Sequence, residues 1–217
     1  MVKEPKKLYS AKADLYVRFI SAFLYPQGLQ AFFTSVDWLR TNFRILDAGC
    51  GTGVVTFAVL KALHCHGYEF DYIHGFDLTF AMLERFRNRL EQQEIKKVEL
   101  YQANVLELEQ LPLDWTGYDL IVSAGMLEYI PKDKFPETLA SLRSRLSAGG
   151  RFILFMTRQN WLTGLLIGRL WESNLYSRPE LVKAFAQAGF SEVSLKKFPL
   201  NYGWLNLWGY IVEGLIS

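Results

Sequence analysis

Five short apolar runs alternate with helix-period segments between residues 44 and 157, and this alternation constrains the chain more than any other feature. The runs are Arg44–Ala48, Asp71–Phe76, Val98–Gln102, Tyr118–Val122 and Arg151–Met156. Most are rich in Ile, Leu, Val or Phe, as strands buried on both faces require. Between them Leu83, Phe86 and Leu90 recur at i, i+3 and i+7, and so do Leu139, Leu142 and Leu146. Each set gives a helix one apolar stripe that can pack on a sheet. Gly149-Gly150 then reads as the left-handed cap that ends the second of these helices. The pattern predicts an α/β fold with a parallel sheet and right-handed crossovers.

Both flanks depart from the repeat. Tyr9–Arg40 reads as one or two helices broken at Pro26-Gln27-Gly28. Residues 158–176 form an insertion rich in Trp and Leu. Ser177-Arg178-Pro179-Glu180 is a capping box with Pro in the first turn, opening a helix that Gly189 closes. Glu192–Phe198 and Leu205–Val212 are β-like and are expected to pair as an antiparallel hairpin. The sequence shows no linker, repeat or low-complexity segment, so a single domain is expected over 1–217. Its parts are an N-terminal helical cap (1–43), a core (44–157), the apolar insertion (158–176) and a C-terminal helix and hairpin (177–217).

Composition narrows the partners. Lys plus Arg is 24 against 22 for Asp plus Glu, a net charge of +2, which argues against an electrostatic nucleic-acid binder. The 16 Phe, 11 Tyr and 6 Trp supply rings for a core and for the walls of a pocket that takes an apolar or flat ligand. Cys50 and Cys65 are the only cysteines, so no disulfide framework is expected and a reducing compartment fits. The N-terminal segment lacks the apolar core of a signal peptide, and no stretch reaches the roughly 18 apolar residues of a membrane span. The expected location is the cytoplasm.

Chemistry enters at Ile45-Leu46-Asp47-Ala48-Gly49-Cys50-Gly51-Thr52-Gly53, where an apolar strand runs into three alternating glycines and then a helix from about Val54. Glycines suit a sharp turn or a backbone that a ligand approaches closely. The helix N-terminus behind them offers free N–H groups to an anionic ligand. A dinucleotide fingerprint would place its third glycine at residue 54, which is Val54; here it comes one place earlier, at Gly53. Asp47, two positions before the first glycine, suits an ammonium group better than a pyrophosphate. Its competing reading is a strand-end cap.

This run resembles the Asp-x-Gly-x-Gly-x-Gly motif of the class I S-adenosylmethionine-dependent methyltransferases, whose loop holds the methionine part of the cofactor. Three further stretches extend the resemblance. Asp77-Leu78 closes the second strand, where a carboxylate would accept from both ribose hydroxyls, or alternatively cap the next helix. Thr79-Phe80-Ala81-Met82-Leu83 is similar to a segment whose Met packs on adenine, although Met82 also suits the core. Ala103-Asn104-Val105 ends the third strand, with Asn104 where the family usually has Asp. Asp119-Leu120-Ile121-Val122 followed by Leu127-Glu128-Tyr129-Ile130 is similar to the family's fourth-strand stretch, with Tyr129 where many members have His. The resemblance implies a Rossmann-like, doubly wound, seven-stranded, mostly parallel sheet with a C-terminal antiparallel hairpin. It implies that S-adenosylmethionine is held by Asp47, Gly49, Cys50, Gly51, Gly53, Asp77, Leu78, Met82, Asn104, Val105, Ser123 and Ala124.

No acid–base dyad stands out, and a methyl transfer that relies on alignment and water exclusion does not need one. Glu128, Tyr129 and Arg158 are candidate catalytic groups, with Tyr176 and Tyr202 behind them. Ser123-Ala124-Gly125-Met126 lacks the motif of the nucleic-acid amino-methylating members. The expected acceptor is therefore a small apolar or aromatic molecule, methylated on O, N or C. Two rival readings are a nicotinamide-dependent oxidoreductase and a noncatalytic S-adenosylmethionine-binding protein. His64-Cys65-His66 is not expected to bind metal, because positions i and i+2 of a helix diverge. The Trp161–Trp171 segment reads as a substrate lid, a membrane-surface anchor or a packed helix, with Tyr16 and Phe19 on an opposite wall.

Overall fold

The computed structural model describes residues 24–158 and 174–217. Seven strands among them form one sheet: β1 (Phe43–Ala48), β2 (Phe70–Asp77), β3 (Val98–Gln102), β4 (Tyr118–Ala124), β5 (Leu146–Thr157), β6 (Glu192–Lys196) and β7 (Gly209–Leu215). Their order is β3-β2-β1-β4-β5-β7-β6. β1 to β5 are parallel, while β7 lies antiparallel between β5 and β6. The chain steps outward from β1 to β3, then crosses back to β4 beside β1. That reversal puts a crevice at the carboxyl ends of β1 and β4, where open α/β sheets bind ligands.

Five helices matter for the site: α1 (Tyr25–Ser35), α2 (Val54–Cys65), α3 (Phe80–Gln92), α4 (Phe135–Arg143) and α5 (Arg178–Gln187). One sheet face, carrying Ile45, Ile73, Leu120, Val122 and Ile153, packs on Leu29, Phe32 and Phe33 of α1 and on Val55, Val59 and Leu63 of α2. The opposite face, with Leu46, Ile121, Phe152 and Leu154, packs on Leu139 and Leu142 of α4 and on Leu181 and Phe185 of α5. The Leu83, Phe86 and Leu90 stripe of α3 is buried with Cys50 and Phe57. Helices on both faces make the sheet doubly wound.

Three local expectations are corrected. Leu146 belongs to β5, not to the helix before it, which ends at Arg143. Past its end the chain turns toward the sheet, where the Arg145 side chain donates to the carbonyls of Trp115 and Leu108, both at 2.6 Å, and its carbonyl accepts the Tyr118 N–H at 3.0 Å. Gly149-Gly150 therefore lies inside β5, where its register on β4 shifts, and a Cβ on Gly150 would come within 2.9 Å of the Tyr118 carbonyl oxygen. The last strand starts at Gly209 rather than Leu205, because Leu200–Leu207 is a 3-10 segment. Asn206 fixes that segment by accepting the Phe198 N–H at 2.9 Å, and Leu205 packs onto Gly28. Pro26-Gln27-Gly28 opens α1, with Pro26 in the first turn where its missing N–H costs nothing, and the expected helix before it lies outside the described residues.

The capping box stands: the Ser177 N–H donates to the Glu180 carboxylate at 2.7 Å, and Gly189 follows α5 at φ +87°. Tyr16, Phe19 and the Trp161–Trp171 segment lie outside the described residues. Among the described residues no helix is long and apolar enough to cross a membrane.

Candidate active site

The three loop glycines all have positive φ, for different reasons. A Cβ on Gly49 would lie 2.4 Å from the Cβ of Met126, and one on Gly53 would lie 2.2 Å from the Phe86 ring. Both positions are packed shut. Gly51, at φ +52°, faces open space, with nothing within 4 Å of where its Cβ would be. The loop is thus pressed against protein at its ends and bare in the middle, as a cradle for a close-fitting ligand must be.

Asp77, at the tip of β2, holds that bare middle. Its Oδ2 accepts the Gly51 N–H at 3.0 Å and its Oδ1 accepts the Thr79 N–H at 2.8 Å. Burial raises its carboxyl pKa above the usual range, and the bonds from Thr79 and Gly51 oppose that rise. Two carboxylate oxygens offer about four lone-pair sites, so Asp77 retains capacity for further donors. Thr79 N-caps α3, which brings Met82 in its first turn to the same space. Asn104 begins the turn after β3, its Oδ1 accepting the Leu106 N–H at 3.1 Å and its Nδ2 donating to Glu107.

These elements enclose a cavity of about 420 Å³. Gly49, Cys50, Gly51, Asp77, Leu78, Met82, Asn104, Val105, Ala124 and Tyr129 all line it. Met126, Ile130 and Pro131, which the sequence reading did not pick out, complete an apolar wall with Tyr25, the last residue of the N-terminal segment expected to form an opposite wall. The only sequence signal of the first three was position: they directly follow the fourth strand. Gly125, at φ +70°, turns the chain there and lays Met126 against Gly49.

Five of the named residues stand off the wall. Asp47 is 1% exposed, and its Oδ2 accepts from the Thr56 N–H at 3.2 Å and the Thr56 hydroxyl at 2.6 Å. It ties the end of β1 to the first turn of α2, and burial pushes its pKa up to about 7. Gly53 packs on Phe86, and the Ser123 hydroxyl donates to the Ala48 carbonyl at 2.8 Å, joining β4 to β1. Glu128 is buried; its carboxylate accepts the Thr157 N–H, and its backbone carbonyl accepts the Asn174 N–H at 2.8 Å. Burial pushes its pKa up to about 7. Arg158 donates to the Asn206 carbonyl at 3.1 Å and lies over the Tyr210 ring. Cys50 faces the cavity, but burial holds its thiol far above the range of a thiolate nucleophile. His74 is held in the sheet by the Tyr118 hydroxyl at 2.8 Å and stacks on Trp115.

A family model described as a methyltransferase domain matches residues 46–152, the span from the glycine strand to β5. That span, 107 of the chain's 217 residues, is similar to a methyltransferase domain. Among similar proteins, the highly reducing polyketide synthase easB of Emericella nidulans is 27% identical over 202 residues, covering 82% of this chain and 8% of that protein. The chain thus spans a small part of that synthase. The demethylmenaquinone methyltransferase of Lactiplantibacillus plantarum is 27% identical over 192 residues, covering 76% of each. Among solved structures, the magnesium protoporphyrin IX methyltransferase of Synechocystis with bound SAH superposes with a TM-score of 0.66 at 17% identity, covering 91% of this chain and 84% of that one. That likeness establishes the family's fold.

Proposed function

We propose that this chain binds S-adenosylmethionine in the 420 Å³ cavity and methylates a small apolar or aromatic acceptor there. The observation that carries this reading is the bare Gly51 backbone facing the same space as the Asp77 carboxylate. The cradle and the carboxylate fit a ligand with a slender zwitterionic end and a ribose. The glycine loop would take the methionine end, Asp77 the ribose hydroxyls, and Met82 with Asn104 and Val105 the adenine. The chemistry supplied on binding is an electrophilic methyl group on sulfur, open to in-line displacement by O, N or C.

The chain's own part is alignment and exclusion of water. Tyr25, Met126, Tyr129, Ile130 and Pro131 offer an apolar surface beside the loop, which desolvates a flat acceptor and holds it near the glycines. Glu128 and Arg158, off the wall, act on its shape rather than on the acceptor. The names of three similar proteins, which refer to polyketides, demethylmenaquinone and a porphyrin, support an apolar acceptor, while a carboxy-S-adenosyl-L-methionine synthase and a phosphoethanolamine methyltransferase are also among the similar proteins. Two free thiols support a reducing, cytoplasmic setting, and the sheet shared by the core and the C-terminal strands supports one domain.

Incubation with methyl-labelled S-adenosylmethionine and a panel of hydroxylated naphthalenes and phenols tests the proposal. Acceptor-dependent formation of S-adenosylhomocysteine supports it. Tight binding of S-adenosylmethionine with no turnover across a broad acceptor panel would favour the noncatalytic binder.

A further inference from the structure

The glycine loop is held from a second side, by a cation on α3 rather than by the strand tips. Arg89, in the last turn of α3, donates from Nη1 to the Thr52 carbonyl at 2.6 Å. Its guanidinium lies 4.1 Å from the centroid of the Phe57 ring. Phe57 in turn meets Phe86, the ring that closes the space opposite Gly53. Arg89 is half-buried, and among the described residues it makes no ion pair. Burial lowers its pKa, the sign of a cation that gives up hydration at this place. The bond to the Thr52 carbonyl and the face of the Phe57 ring are what offset that loss of hydration.

The same peptide is fixed at its other end, where the Gly53 N–H donates to the Cys50 carbonyl at 2.8 Å. With Thr52 C=O drawn toward α3 and Gly53 N–H turned into the loop, that peptide plane cannot flip. Thr52 itself lines the cavity. We infer that Arg89 is a positioning residue that preorganises the Cys50–Gly53 loop for its ligand. It reaches the ligand only through the backbone it orients. Asp77 holds the Gly51 N–H from β2 while Arg89 holds the Thr52 carbonyl from α3, so the loop is clamped by opposite charges on neighbouring residues. Preorganisation of this kind lowers the ordering cost of binding.

This inference rests on the proposed function only for the identity of the ligand, so its test has an arm that needs none. Arg89→Met keeps the stem over Phe57 and removes the donor; Arg89→Lys restores a cationic donor without the planar fork. Amide hydrogen exchange on the free proteins should show residues 50–56 exchanging about tenfold faster in Arg89→Met, with β1, β4 and β5 unchanged. Calorimetry should show the Kd for S-adenosylmethionine raised about tenfold in Arg89→Met, with Arg89→Lys recovering most of that loss. Unchanged loop exchange in Arg89→Met would overturn the inference, whatever binds. Faster exchange throughout the sheet would also overturn it, by making Arg89 a general stabiliser. A mobile loop with unaltered affinity would break the link to the ligand. A wild-type protein that ignores S-adenosylmethionine would remove the proposed ligand, and loop exchange alone would then decide the role of Arg89.

Discussion

Asp77 accepts the N–H of Gly51 at 3.0 Å, so the carboxylate expected to meet the ribose also holds the loop expected to meet the methionine end. One side chain would therefore couple the two halves of the proposed cofactor site. Asp77→Ala removes a charged acceptor from both, and S-adenosylmethionine should bind about 10- to 150-fold more weakly, equivalent to roughly 1.5–3 kcal/mol. Calorimetry on the folded variant checks this. Unchanged affinity would remove Asp77 from the site.

Gly51 and Gly53, two residues apart, should give different phenotypes. Gly51→Val places its branches in open cavity space, so the protein should fold, with roughly 1–3 kcal/mol lost to the left-handed φ, and fail to bind S-adenosylmethionine. Gly53→Ala drives a Cβ to 2.2 Å from Phe86 and should cost roughly 1–3 kcal/mol of stability through overpacking. Paired thermal melts and binding titrations separate the two. Normal affinity in Gly51→Val would mean that no ligand approaches the loop there.

Glu128 should impose a pH dependence on folding. Its pKa is about 7 in the folded chain against an ordinary 4.5. A carboxyl that is harder to ionise when folded stabilises fully below its unfolded pKa and loses that contribution as pH rises through the folded value. Stability should therefore fall between roughly pH 4.5 and 7.5, and Glu128→Gln, which keeps an acceptor for the Thr157 N–H, should flatten the fall by about 3 kcal/mol. Asp47 shifts in the same sense, so part of the slope should remain. Urea unfolding at a series of pH values measures it. An identical slope in wild type and Glu128→Gln would show that the carboxyl ionises freely.

The sequence carried most of the architecture because buried parallel strands are written locally, as apolar runs. β3 matched its expected bounds, β1 and β4 differed by one and two residues at one end, and β2 by one residue at each end. What failed depended on distant partners. Leu146 fits a helix stripe with Leu139 and Leu142, but the chain has already left the helix at Arg145, whose side chain is held by carbonyls 30 and 37 residues away. Leu205 continues an apolar pattern, yet it packs onto Gly28. The site divides in the same way. Glycine spacing and the strand-tip Asp77 are local signals and were readable. The Glu128 bond to Thr157 spans 29 residues, so spacing alone gave no sign that this candidate catalytic group is buried. Met126 joined the wall through the turn at Gly125, which spacing alone does not reveal.

The central claim is that the glycine loop and Asp77 form an S-adenosylmethionine site. Its most direct test is calorimetric titration of the wild-type chain with S-adenosylmethionine, S-adenosylhomocysteine, NAD and NADP under one set of conditions. The account predicts saturable binding of the first two with one site per chain, and no heat of binding from either nicotinamide dinucleotide. Saturable binding of NAD or NADP, with none of S-adenosylmethionine, would contradict it.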